Sequence, residues 1–201
     1  MENNCPNILN LKPVWLAESK KAKGESEMTI ILSIKPYYLY LILIGKKTIE
    51  LRKSFPQRKE WDKTAFLYCT KDKKSFAEIP EEDQGWMRDK LGKIACKVVC
   101  DKIETIEIRH FTVFGHENRY CSVSEPPDNQ WLAKSCLTYD EVVHYGKLAP
   151  LYGWHISYLM LFEPREITEF VHAAVKFGKV RIATMRKESP PQSWCYALEV
   201  S

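Results

Sequence analysis

Apolar positions along the chain fall into short runs cut by charged or Pro/Gly-punctuated stretches. Met28 opens the first such run, Thr29–Ile34, whose β-branched content predicts a strand. Residues 37–44 form the longest apolar run, Tyr37-Tyr38-Leu39-Tyr40-Leu41-Ile42-Leu43-Ile44. Periodicity cannot separate helix from strand there, but Pro36 sits at a helix's first position and Gly45 at its stop. The punctuation predicts a short helix, with Ser33 upstream as its cap. Further strands are expected at Thr48–Lys53, Thr64–Thr70, Ile94–Ile108, Trp154–Phe162 and Trp194–Val200. A charged segment (Lys71–Lys90) and a Pro-containing loop (Glu117–Asn129) lie between them. Thr138-x-x-Glu141 has capping-box spacing, so a helix is expected over Thr138–His144. The stretch Glu166–Phe177 also reads as helical. Strands interrupted by short helices, with no internal repeat, predict an α+β domain, most simply a small barrel.

Residues 1–27 read differently. Apolar side chains are sparse, charges cancel, and the segment ends on Gly24-Glu25-Ser26. The expectation is a flexible N-terminal extension ahead of a domain over 28–201, with Trp15 and Leu16 placed to dock on the apolar helix.

Composition narrows the classes. The 201 residues are 45% hydrophobic and 28% charged, a balance that excludes wholesale disorder and collagen-like repeats. No apolar run approaches the roughly 20 residues of a bilayer-spanning helix, so no membrane partner is expected. Seven cysteines, odd in number and widely spread, with no export signal ahead of them, point to reduced thiols and a cytoplasmic setting. Cys96 and Cys100 would lie on one strand face about 13 Å apart, at ~3.3 Å per residue. No second CxxC or HxxxH accompanies them, so neither a metal nor a cofactor is expected.

The net charge of +4 becomes informative only through its placement. Between Gly45 and Lys63 seven basic residues face three acids, an excess equal to that of the whole chain. A strip of this kind suits a phosphate or another anion. The alternative is a solvated edge strand guarded by lysines. Alternation puts Lys47, Ile49, Leu51 and Lys53 on one strand face and Thr48, Glu50 and Arg52 on the other. Lys47 and Arg52 are the candidate anion contacts, the one a mobile point charge and the other a fixed fork. Glu50 shares the face of Arg52, either as its ion-pair partner or as an acceptor for a base amino group or a water.

Ile31-Leu32-Ser33-Ile34-Lys35-Pro36 running into Gly45-x-Lys47-x-x-Glu50-x-Arg52 resembles the activating-signal-cointegrator homology (ASCH) family, whose signature is G-x-K-x-x-E-x-R. Gly153-Trp154-His155-Ile156-Ser157 and Pro190-Pro191-Gln192-Ser193-Trp194-Cys195-Tyr196 look like the same family. The resemblance implies a PUA-like fold: a small, partly closed β-barrel with short flanking helices. It also implies a cleft floored by the signature, where RNA, other nucleic acid or a nucleoside-like ligand binds. On that geometry Lys35 joins Lys47, Glu50 and Arg52, while Trp154, Ser193 and Trp194 line the cleft or fill the barrel. Two departures stand out. Helix 37–44 is more apolar than the amphipathic family version, so its outer side is expected to meet the extension or another subunit. The segments Lys71–Lys90 and Arg109–Ala149 are longer than a minimal family domain needs.

The leading expectation is therefore an RNA- or nucleotide-binding module. A second is a small amidohydrolase acting on N4-acetylcytidine, as some compact relatives look to be. They use the signature Lys, a Thr at the signature's sixth position and a distant Glu. Here Glu50 stands in place of the Thr, leaving Lys47 and Glu50 as catalytic candidates and Glu104 or Glu107 as the third member. A third is an interaction domain whose apolar helix binds a partner. His155 reads as a satisfied histidine at a strand start, and Gln192 as part of an ordinary turn.

Overall fold

The computed structural model describes residues 28–58, 61–112, 119–123, 128–147, 149–176, 179–184 and 190–199. The extension expected over 1–27, with Trp15 and Leu16, lies outside them. Chain order is β1 (Met28–Ile34), α1 (Pro36–Leu43), β2 (Ile49–Arg52), β3 (Trp61–Cys69), α2 (Lys73–Phe76), α3 (Glu81–Arg88) and β4 (Ile94–Ile106). Then come β5 (Ile108–Thr112), β6 (Arg119–Val123), α4 (Asn129–Ser135), α5 (Tyr139–Gly146) and β7 (Leu151–Arg165). A single 3-10 turn (Ile167–Glu169), β8 (Phe170–Lys176), β9 (Lys179–Thr184) and β10 (Trp194–Glu199) complete it. The expected α+β class holds, and the short helix follows the first strand.

These elements divide into two compact units: 28–45, 58–99 and 158–199 form the first, and 46–57 with 100–157 the second. Strands β4 and β7 contribute residues to both.

In the first unit β1 lies between two neighbours, parallel to β3 and antiparallel to β10. All seven of its residues are buried, which is why it reads as a continuous apolar run. The sheet continues from β10 to β8 and from β8 to β9, both antiparallel. Its core packs Ile31, Phe66, Tyr68, Ile94, Ile167 and Phe170, with Phe66 edge-on to Phe170 at 4.7 Å between ring centroids. Arg165 lies over the Phe170 ring and binds Glu169 and Glu199, fixing one edge of that core.

Helix α1 shows why its sequence is so apolar. Pro36, Leu39, Tyr40, Leu41, Ile42 and Leu43 are all buried. Within the described residues the charged segment 71–90, which folds into α2 and α3 of the same unit, packs on it. The Tyr40 hydroxyl donates to Asp83 Oδ2 at 2.7 Å, and the Trp86 indole N–H donates to Asp83 Oδ1 at 2.9 Å. Burial and that carboxylate push the Tyr40 phenol up to about 12. Ser33 does not cap the helix. Its hydroxyl donates to Pro191 O at 2.6 Å, and the Tyr37 N–H finds Ser75 Oγ of α2 at 3.1 Å instead. Gly45 ends the segment at φ +75°, the left-handed conformation that glycine adopts without Cβ strain.

Three further expectations change. Of the stretch Glu166–Phe177, the described residues 166–176 are not a helix: Glu166 and Glu169 close a capping box around one 3-10 turn, and Phe170 onward pairs with β10. The aromatic Phe170 and β-branched Val171 favour the strand once a partner is available. The loop expected over Glu117–Asn129 contains β6, which pairs with β5 as a two-stranded ribbon. Strand β2 starts one residue late, at Ile49, and ends one early, at Arg52.

Five cysteines fall within the described side chains, all as free thiols. Cys96 and Cys100 occupy buried alternate positions of β4. Burial pushes the Cys69 and Cys100 thiols up to about 12, so they behave as core side chains. No described helix is long and apolar enough to cross a membrane.

Candidate functional site

The second unit carries the signature. Its core is Ile49, Leu51, Ile106, Trp131, Val142 and Leu151. Strand β2 runs antiparallel to β7, with Ile49 opposite His155, Glu50 opposite Trp154, Leu51 opposite Gly153 and Arg52 opposite Tyr152. Opposed residues share a face. Ile49 and Leu51 therefore point into the core with Gly153 and Leu151, while Glu50 and Arg52 lie on the other face with Trp154.

Glu50 ties the signature cations together. Its Oε1 is 3.0 Å from Arg52 Nη2 and its Oε2 is 3.3 Å from Lys47 Nζ. Lys47 is 2% exposed, Glu50 7% and Arg52 8%. Alternation alone puts Lys47 on the face opposite Glu50, yet the two meet. Lys47 precedes the strand, so the strand's two-residue period does not bind its side chain. Lys47 Nζ also donates to Ser135 O at 2.6 Å. Thr48 N donates to Lys134 O at 2.8 Å, and Cys136 Sγ approaches Lys46 O at 3.5 Å. Residues 46–48 thus close the C-terminal end of α4, where backbone carbonyls lack helical partners and a cation is favoured. The chain leaves that helix through Cys136 at φ +52°.

A second group of polar side chains sits nearby in the same unit, and only one of its members was singled out from the sequence as a catalytic candidate. Glu104 of β4 accepts from Trp131 Nε1 at 3.0 Å through Oε2, which also lies 2.9 Å from His155 Nε2. Its Oε1 meets Lys102 Nζ at 3.3 Å. Burial raises the Glu104 carboxyl, but the bonds from His155, Trp131 and Lys102 outweigh it and hold the group below the usual glutamate range. A carboxylate only accepts, so His155 Nε2 carries the proton of that bond and Nδ1 is the ring's basic nitrogen when neutral.

Trp131 is held on its other side by Gly153. A Cβ built at Gly153 would lie 3.0 Å from Trp131 Cζ2 and 3.3 Å from Ile49 Cγ2. Beside this group opens a cavity of about 360 Å³ lined by Thr48, Asp101, Lys102, Lys134, His155, Ile156 and Ser157. Lys134 is exposed, and among the described residues its ammonium has no ion-pair partner.

The remaining sequence candidates fall as follows. Trp154 is fully buried. Lys35, Ser193 and Trp194 belong to the first unit. There Lys35 Nζ lies 3.7 Å from Asp72 Oδ2, Ser193 O accepts from Ser33 N at 2.8 Å, and Trp194 stands edge-on to Tyr196. Lys47, Glu50, Arg52 and Trp154 come together in the second unit. The expected charge strip divides too: Lys46, Lys47, Arg52 and Lys53 belong to the second unit, Arg58 and Lys63 to the first. Lys102, Lys134 and the Trp131–Glu104 bond were missed. Only the tertiary fold brings α4 to β4, and no local spacing signals it.

The fold is similar to that of an ASCH protein. A crystal structure of ASCH from Zymomonas mobilis aligns over 86% of this chain and 88% of its own, at 12% identity and a TM-score of 0.45. Two point mutants of that protein align equally well, at 12% and 13% identity with the same TM-score. A likeness this distant carries no argument about function, which rests on the residues themselves. No family model matches the chain. No curated protein matches it either.

Proposed function

We propose that the 46–57 and 100–157 unit binds nucleic acid, RNA in particular, with a phosphate seated in the cavity beside the signature. One observation carries the reading. Two lysines from separate elements, Lys102 on β4 and Lys134 on α4, converge with the hydroxyl-bearing Thr48 and Ser157 on a cavity sized for about one nucleotide. In this reading the signature positions rather than touches. Lys47 and Thr48 hold the end of α4 that carries Lys134, and Glu50 and Arg52 hold Lys47. Asp101 on the same lining repels phosphate but suits a ribose hydroxyl or a base amino group.

Binding of a labelled single-stranded RNA by fluorescence anisotropy tests this. Lys102→Ala and Lys134→Ala each remove one charged contact worth about 1.5–3 kcal/mol. The expected loss is roughly ten- to a hundredfold in affinity, with a shallower salt dependence. Unchanged affinity in the double variant sinks the reading.

The amidohydrolase reading keeps one specific support: Glu104, a candidate from the sequence, hydrogen-bonds a histidine on a cavity of the unit that carries Lys47. If the protein hydrolyses N4-acetylcytidine, Glu104→Gln should lower turnover by about 10²–10⁴-fold by disturbing the base. Release of cytidine no faster than a protein-free blank removes this reading.

A further inference from the structure

We infer that His155 is a further phosphate contact of this cavity, beside Lys102 and Lys134, and that its protonation controls affinity, so a phosphodiester is held more tightly when the imidazole is charged than when it is neutral. The inference rests on the nucleic-acid reading above and goes beyond it by naming the contact and its control. His155 lines the cavity with its side chain 25% exposed. Its Nε2 is committed to Glu104, so the nitrogen left to meet a ligand is Nδ1. Neutral Nδ1 presents a lone pair, which repels a phosphate oxygen. Protonated Nδ1 donates to it while Nε2 keeps its bond to Glu104.

The surroundings favour such a switch. The ring bonds Glu104 of β4, and the same cavity is lined by Lys102 and Asp101 of β4, Lys134 of α4 and the uncharged Thr48 just ahead of β2. A bound phosphate adds an anion to the charged imidazole. Proton and ligand therefore each strengthen the other's binding. Trp131 and Gly153 are positioning residues: the indole N–H aims the Glu104 oxygen that holds the ring. A plain arginine or lysine site has no such dependence, because its charge does not change near neutrality.

The test uses the full chain and uridylyl-(3′→5′)-uridine, a phosphodiester whose own charge is constant between about pH 5.5 and about pH 8, with uridine as the control lacking phosphate. Affinity read by calorimetry, alongside the His155 imidazole signal read by NMR, should fall about tenfold or more across that range. Uridine should bind weakly and without pH dependence. His155→Asn should bind at the weaker level throughout. Glu104→Gln should keep the transition. Lys134→Ala should weaken binding at both ends and leave the transition in place. Binding that does not vary with pH, a transition that survives in His155→Asn, or no binding at the acidic end overturns the inference. Anisotropy with a longer RNA at the same two pH values separates the two readings. RNA bound without a His155-dependent transition removes the switch alone. Dinucleotide binding that follows His155, with no RNA bound at either pH, removes the nucleic-acid reading alone.

Discussion

Two clusters in the second unit use similar chemistry for opposite ends. Around Glu50, two cations share one carboxylate with every member less than a tenth exposed. Around Glu104, a lysine, a histidine and an indole share one carboxylate whose side chain is 35% exposed, beside an open cavity. Burial decides what each can do. Ions taken out of water need their partners in place, so the Glu50 cluster acts as a brace on α4. Where water reaches the group, a pair contributes little to stability, and its members are available to a ligand.

The largest expected effect breaks the brace. Glu50→Ala leaves Lys47 and Arg52 buried without their shared carboxylate, which should cost about 3–5 kcal/mol. Denaturant unfolding measures it; a variant as stable as the parent would show that the cluster is not the brace described. The same substitution at Glu104 should cost far less, and the contrast between the two is the sharper result.

Gly153→Ala should come next. The added methyl presses on Trp131 Cζ2 at 3.0 Å, so the indole must give way. About 1–3 kcal/mol of destabilisation is expected, as for overpacking generally. A change in tryptophan fluorescence should accompany it. An unaltered melt and spectrum would mean that Trp131 yields freely.

The smallest effect is proton-linked. The folded Glu104 carboxyl lies below its ordinary value, so its contribution is present above the usual glutamate range and lost as pH falls through the folded value. Solvent screening at this exposed pair keeps that contribution to under about 1 kcal/mol. Comparing the acid limb of the parent with Glu104→Gln detects it: the variant's limb should be slightly shallower. A steeper limb in the variant would contradict the direction of the shift.

The helix at 36–43, its Pro and Gly punctuation, the capping box at Thr138–Glu141 and most strands were legible because each is set by neighbours within a few residues. The pairing of Glu50 with Arg52 was legible for the same reason, since two residues on one strand share a face. What covers α1 was not, because the answer lay in residues 71–90, which read as merely charged until Asp83 and Ser75 meet the helix. The run 166–177 misled because a capping box and a strand overlap there, and only pairing with β10 decides between them. Local chemistry named Lys47, Glu50, Arg52 and Glu104 as residues of interest and read His155 as a satisfied histidine. It could not say which would be sealed and which left facing a cavity. Burial and long-range partners settle that, and both come from elements distant in the chain: Ser135 on Lys47, and Trp131 on Glu104.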